Sequence, residues 1–186
     1  MVSRALVLAS RSPQRSAILT QLGIPFEAVP ADVEESGDGD PWAAVLANAR
    51  RKARAVAERM PDRDVLGVDT EVLVDGGLLG KPEDEGHARR HLQTLSGRTH
   101  EVLSGVALVR AGAETTAVVR TAVSFRSLAP ELVEWYLRSG EWEGRAGAYA
   151  VQGRGAALVA AIDGDYWNVV GLPIPALLDL APWLIR

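Results

Sequence analysis

The 186-residue chain contains no cysteine. Disulfides, thiolate metal sites and a cysteine nucleophile are therefore excluded. No apolar run approaches the roughly 20 residues a helix needs to span a bilayer. The opening residues, 1–6, lack the charged, apolar and cleavage regions of a secretory signal and lead straight into a strand-like segment. The expectation is a cytoplasmic protein with no membrane partner. An excess of positive charge is also missing, since the formal net charge is −4. That argues against a broad surface for a nucleic-acid polymer. It leaves room for a small polyanion held in a local basic pocket. Lysine is scarce: 18 of the 20 basic residues are arginine, and only Lys52 and Lys81 are lysine. Those two mark places where a compact ammonium serves better than a planar fork. Asparagine is equally sparse, at Asn48 and Asn168.

What is present suits one compact α/β domain over residues 1–186. The chain is 47% hydrophobic and 24% charged, enough for a single core. Ala5–Ala9 is a continuous apolar run and predicts a buried strand. Ser12-Pro13 predicts a cap and a first helical residue, with the helix running to Gly23. A short strand near 26–29 and an acidic loop over 32–40 follow. Asp40-Pro41 opens the longest predicted helix, whose apolar stripe runs from Trp42 through Val45, Ala49, Ala53 and Val56 to Met60. Residues 65–69 predict a second buried strand. Two shorter strands, 71–74 and 78–79, flank the turn Asp75-Gly76-Gly77. A helix over 84–95, two long strands over 99–109 and 115–125, and a helix over 130–137 come next. The glycine-rich stretch 145–170 reads as short strands near 149–151, 157–162 and 168–170, before a last helix over 173–180. This order predicts helices around a mixed, partly antiparallel sheet.

Several places suit phosphate chemistry. In Ser10-Arg11-Ser12-Pro13-Gln14-Arg15 a strand ends where a helix begins, so free N–H groups and the helix dipole meet two hydroxyls and an arginine. The same pattern also fits an ordinary helix cap. Asp32, Glu34 and Glu35 offer oxygen ligands for a hard cation or form a solvated acidic loop. Lys52 falls about 20° from Val45 on a helical wheel, so it leans over the core boundary rather than straight into solvent. Arg50, Arg51 and Arg54 lie farther round, on what reads as a wet face. Asp69-Thr70 lies at the carboxyl end of a buried strand, where ligands gather in open α/β sheets. Gly80-Lys81-Pro82 is no P-loop, because proline stands where a Ser/Thr would hold Mg²⁺. Its fixed lysine still suits a phosphate contact. His87 and His91 share a helix face but have no evident third ligand. Taken together, these residues suit hydrolysis of a phosphoanhydride by an activated water.

The motifs Leu8-Ala9-Ser10-Arg11-Ser12-Pro13-Gln14-Arg15, Gly67-Val68-Asp69-Thr70-Glu71-Val72, Gly80-Lys81-Pro82 and Leu95-Ser96-Gly97-Arg98-Thr99-His100-Glu101-Val102 resemble those of the Maf-like family of nucleoside triphosphate pyrophosphatases. So do Ala146-Gly147-Ala148-Tyr149-Ala150-Val151-Gln152-Gly153 and Asn168-Val169-Val170-Gly171-Leu172-Pro173. The resemblance implies an elongated, usually dimeric α/β domain similar to inosine triphosphate pyrophosphatases. It also implies hydrolysis of a nucleoside triphosphate to monophosphate and pyrophosphate with Mg²⁺, Mn²⁺ or Co²⁺. By that resemblance Asp69 is the general base and a metal ligand, and Glu35, with Glu34 beside it, is a metal carboxylate. Arg15, Lys52 and Lys81 contact phosphate, and Ser10 begins the phosphate loop. Ser12 and Asn48 belong with the substrate-binding residues. Three positions separate family subtypes. Thr70 and Gln152 match the dTTP/UTP type, whereas Gln14 matches neither that type (arginine) nor the 7-methyl-GTP type (aromatic). The rival implications are a 7-methyl-GTP or other non-standard purine nucleotide as substrate, and a nucleotide-binding regulator of septum formation.

Overall fold

The computed structural model describes residues 5–37 and 39–185. Residues 1–4 of the expected leaderless start, and Asp38 of the expected acidic loop, lie outside the described residues. The strands are β1 (Leu6–Leu8), β2 (Phe26–Ala28), β3 (Val65–Val74), β4 (Gly77–Leu79), β5 (Thr99–Arg110), β6 (Ala113–Phe125) and β7 (Val159–Asp163). The helices are α1 (Pro13–Gln21), α2 (Pro41–Ala57), α3 (Glu85–Leu95), α4 (Pro130–Leu137), α5 (Tyr166–Val170) and α6 (Ile174–Leu180). The seven-stranded sheet has the order β2-β1-β3-β5-β6-β7, with β4 paired to β3. β1 is parallel to β2 and to β3, while β4 is antiparallel to β3 and β7 to β6. The α/β class and the mixed sheet are thus as expected. Among the described residues, no helix is long and apolar enough to cross a membrane.

Local chemistry sets the element boundaries. Ser12, Asp40 and Asp84 cap α1, α2 and α3 through side-chain oxygens, each cap contributing about 1 kcal/mol. Asp75 and Gly76 both have positive φ, as do Ala111 and Gly112. Both pairs therefore form two-residue turns whose twist matches that of a hairpin. Residues 65–74 form one strand rather than the expected two, because Asp69 and Thr70 continue the ladder instead of breaking it. The expected strand at 168–170 is helical. Asp165 Oδ1 accepts from the Trp167 N–H and turns the chain into α5. Residues 149–151 form no strand either, since the Ala150 N–H donates to the Tyr136 hydroxyl at 3.0 Å. Trp42, expected on the apolar stripe of α2, is 40% exposed.

By its own packing the chain divides into two compact units. The first comprises residues 1–69, 104–119 and 171–186. Its core includes Val7, Ala9, Val56 and Val65, and a second cluster of Ala49, Ala53 and Ala107. Here α2 lies with its backbone against the sheet. A Cβ on Gly67 would fall 2.2 Å from the Ala49 carbonyl, and one on Gly105 would fall 2.3 Å from the Val45 carbonyl. Two glycines in the strands and alanines on the helix make that approach possible. The second unit comprises residues 70–103 and 120–170. In its core His100 Nε2 and the Tyr149 hydroxyl are 2.8 Å apart, with Phe125 packed edge-on against both rings. Asn168 donates to the Val102 carbonyl and the Thr121 hydroxyl, both at 3.0 Å.

Gly67→Ala should therefore cost at least about 2 kcal/mol through overpacking, read as a lower urea midpoint with an unchanged slope. A second expectation concerns pH. Burial pushes the His100 imidazole down from 6.5 to about 4. The folded chain takes up that proton only near pH 4, the unfolded chain already near 6.5. Stability should then fall as pH drops through this window, by about 3 kcal/mol for this group. His100→Gln should flatten the loss, measured by urea unfolding at pH 7 and pH 4.5.

Candidate active site

The first unit gathers most of the residues singled out in the sequence. β3 places Gly67 and Asp69 two residues apart, hence on one face. The glycine lets α2 close onto that face, and the aspartate meets what α2 carries there. Asn48 and Lys52 are four apart on α2, so they project side by side. Lys52 Nζ donates to Asp69 Oδ1 at 2.6 Å and to the Val68 carbonyl at 3.3 Å, and it pairs with Glu35 Oε1 at 2.7 Å. These contacts use all three ammonium donors. Asn48 Nδ2 donates to the other Asp69 oxygen, Oδ2, at 3.0 Å. Both carboxylate oxygens of Asp69 are thus held, and the residue is only 3% exposed.

The turn from β1 into α1 is equally organised. The Ser10 hydroxyl accepts from the Ser12 N–H at 3.1 Å and from Arg15 NH1 at 3.0 Å. Arg15 Nε donates to the Gly171 carbonyl at 2.9 Å. This guanidinium is buried, and burial pulls its pKa down, while the charges of Asp69 and Glu35 push it back up. A buried cation therefore lies in the electrostatic field of both carboxylates. Gln14 is half-buried, and its Oε1 accepts from the Ser12 hydroxyl at 3.0 Å. Arg11 pairs with Asp32 on the exposed surface.

The acidic residues sort differently from the sequence expectation. Glu35, Asp69 and Glu71 each offer a carboxylate oxygen, all within 4.8 Å of one another. Glu71 follows Asp69 by two along β3 and so points from the same face, a strand periodicity that would have identified it. Glu34 does not join this group. It is exposed, and its main-chain carbonyl accepts from Arg51 at 2.5 Å. Three carboxylates with no sulfur or imidazole fit a hard divalent cation such as Mg²⁺ or Mn²⁺. The His87 and His91 rings stack edge-to-face at 4.4 Å and belong to no such group among the described residues.

Thr70, Lys81 and Gln152 belong to the second unit. Thr70 is half-buried, and Lys81 and Gln152 are exposed. Lys81 follows Gly80, whose carbonyl accepts from the Gly147 N–H at 3.2 Å, and precedes buried Pro82. The segment after Gln152 is held by Glu141, which accepts from the Arg154 N–H at 3.1 Å and the Gly155 N–H at 3.2 Å.

A family model described as "Maf-like protein" matches residues 5–182. Among curated relatives, a dTTP/UTP pyrophosphatase of Symbiobacterium thermophilum is 51% identical, covering 91% of this chain and 88% of its own. One of Moorella thermoacetica is 51% identical over 94% and 92% of the two chains. One of Pyrococcus abyssi is 40% identical over 94% of each.

The ion pair sets an expectation for stability. Lys52→Met leaves the buried Asp69 carboxylate without its cation and should cost about 3 kcal/mol in urea unfolding. Arg11→Met, which removes an exposed pair, should leave the midpoint unchanged.

Proposed function

The chain belongs to the Maf-like family, and from that premise we propose that it is a metal-dependent nucleoside triphosphate pyrophosphatase acting on dTTP and UTP. The observation that carries this reading is Asp69, a buried carboxylate gripped by Lys52 and Asn48 within a group of three carboxylates. Relatives 40–51% identical bear the name dTTP/UTP pyrophosphatase. Residues 1–186 act as one nucleotide-hydrolysing domain, in the cytoplasm and as a homodimer, as the family resemblance implies.

In the proposed reaction Asp69 accepts a proton from water as its oxygen attacks the α phosphorus. The new O–P bond forms as the bond from the α phosphorus to the bridging oxygen breaks. Its electron pair leaves on pyrophosphate, and the other product is the nucleoside monophosphate. Arg15, Lys52, Lys81 and the start of α1 beyond Ser10 and Ser12 hold the phosphate charge. Glu35, Asp69 and Glu71, with Glu34 adjacent, would hold Mg²⁺, Mn²⁺ or Co²⁺, which neutralises phosphate charge when bound. Lys52 holds one oxygen of the Asp69 carboxylate in place, and Asn48 fixes the second. Thr70, Gln152 and Gln14 face the choice of base. Gln14 favours a second reading, a shifted base preference, since it offers an amide where the dTTP/UTP type carries a bidentate cation.

The test is pyrophosphate release from dTTP, UTP, CTP, GTP, 7-methyl-GTP and ITP, each with Mg²⁺ and with EDTA. Release from dTTP and UTP that EDTA abolishes is the expected result. A preference for 7-methyl-GTP or ITP would move the substrate and keep the chemistry. No release from any nucleotide would remove the enzymatic reading. Asp69→Asn should abolish release while leaving the circular dichroism spectrum unchanged; an active variant would remove Asp69 as the base.

A further inference from the structure

We infer that Arg51 is a positioning residue for this reaction, acting through Asn48 and the loop that carries Glu35; this rests on the hydrolase reading above. Arg51 read as part of a wet helix face, and its side chain is exposed. Its NH1 nevertheless donates to the Glu34 carbonyl at 2.5 Å and to Asn48 Oδ1 at 3.1 Å. Asn48 Oδ1 also accepts from the Ser36 N–H at 3.1 Å, and Asn48 Nδ2 donates to the Ser36 carbonyl and to Asp69 Oδ2, both at 3.0 Å.

The consequence follows from donor and acceptor identity. A guanidinium only donates. It therefore fixes the oxygen of the Asn48 amide on its own side and leaves the NH₂ group to face Asp69. A flipped amide would set NH₂ against two donors and a carbonyl oxygen against a carboxylate. Arg51 and Asn48 also tie the main chain at Glu34 and Ser36, immediately either side of Glu35. Through one side chain, then, Arg51 orients the proton-accepting carboxylate and holds the segment bearing its neighbour.

The experiment compares Arg51→Met and Arg51→Lys with wild-type enzyme in steady-state pyrophosphate release from dTTP and Mg²⁺. Arg50→Met, which changes the neighbouring residue of α2 and removes its pairing to Glu114 of β6, is the control and should match wild type. Arg51→Met should lower kcat about ten- to a hundredfold with KM changed less than about twofold. Arg51→Lys, which keeps one donor, should recover part of that loss. Added to Asn48→Ala, Arg51→Met should slow the enzyme by less than it does alone, since only its bond to the Glu34 carbonyl then remains to be lost. Unchanged kcat in Arg51→Met, a loss expressed wholly in KM, or full additivity with Asn48→Ala would each overturn the inference. Inactivity of the wild-type enzyme would instead fail the underlying reading.

Discussion

The close approach of α2 to β3 is the constraint on which the first unit turns. An ordinary helix–sheet contact leaves room for side chains between the backbones. Here Gly67 and Gly105 supply none, and Ala49 and Ala53 supply only methyl groups. The helix therefore sits low enough for a lysine ammonium to reach back across the interface to a strand carboxylate. Lys52 and Asp69 are both almost wholly buried, and an ion pair in that setting survives only with near-complete hydrogen bonding. The geometry provides it: three acceptors for the ammonium and a donor on each carboxylate oxygen. Packing and charge are thus one arrangement, and loosening the first undoes the second.

The polar groups around this pair are fixed in advance. Ser10 and the Gly171 carbonyl hold the Arg15 guanidinium, and Asn48 is bonded on every side. Groups whose dipoles already point where charge develops cost little reorganisation at the moment of reaction. The burial of Arg15 has the same sense. Desolvation penalises its charge, and the carboxylates of Asp69 and Glu35 offset part of that penalty.

Much of this was legible in the sequence, for identifiable reasons. Pro after Ser or Asp located the starts of α1 and α2, and Asp75-Gly76-Gly77 located the turn between β3 and β4. Lys52 and Asn48 stood out by rarity, and Lys52 also by its position on the helical wheel. Glu71 was missed because 65–69 and 71–74 read as separate strands, which hid the alternation joining Glu71 to Asp69. Arg51 was missed because helical periodicity tells where a side chain starts and not how far a long one reaches back. The α5 turn was missed because short apolar runs do not distinguish strand from helix, and the deciding contact is a single cap from Asp165.

Burial also separates the residues by the freedom each has to vary. Arg15, Asn48, Lys52 and Asp69 are at most 9% exposed, and each has hydrogen-bond partners that a substitution would strand. Gln14 and Thr70 are half-buried and Gln152 is exposed. A change at exposed Gln152 removes little packing. The Gln14 amide oxygen accepts from Ser12, so the helix cap keeps a polar neighbour although a family arginine is absent. Gln152 is the most accessible of the three positions proposed for base choice. The buried group around Asp69, bound to its helix and strand by packing and hydrogen bonds, is held far more firmly.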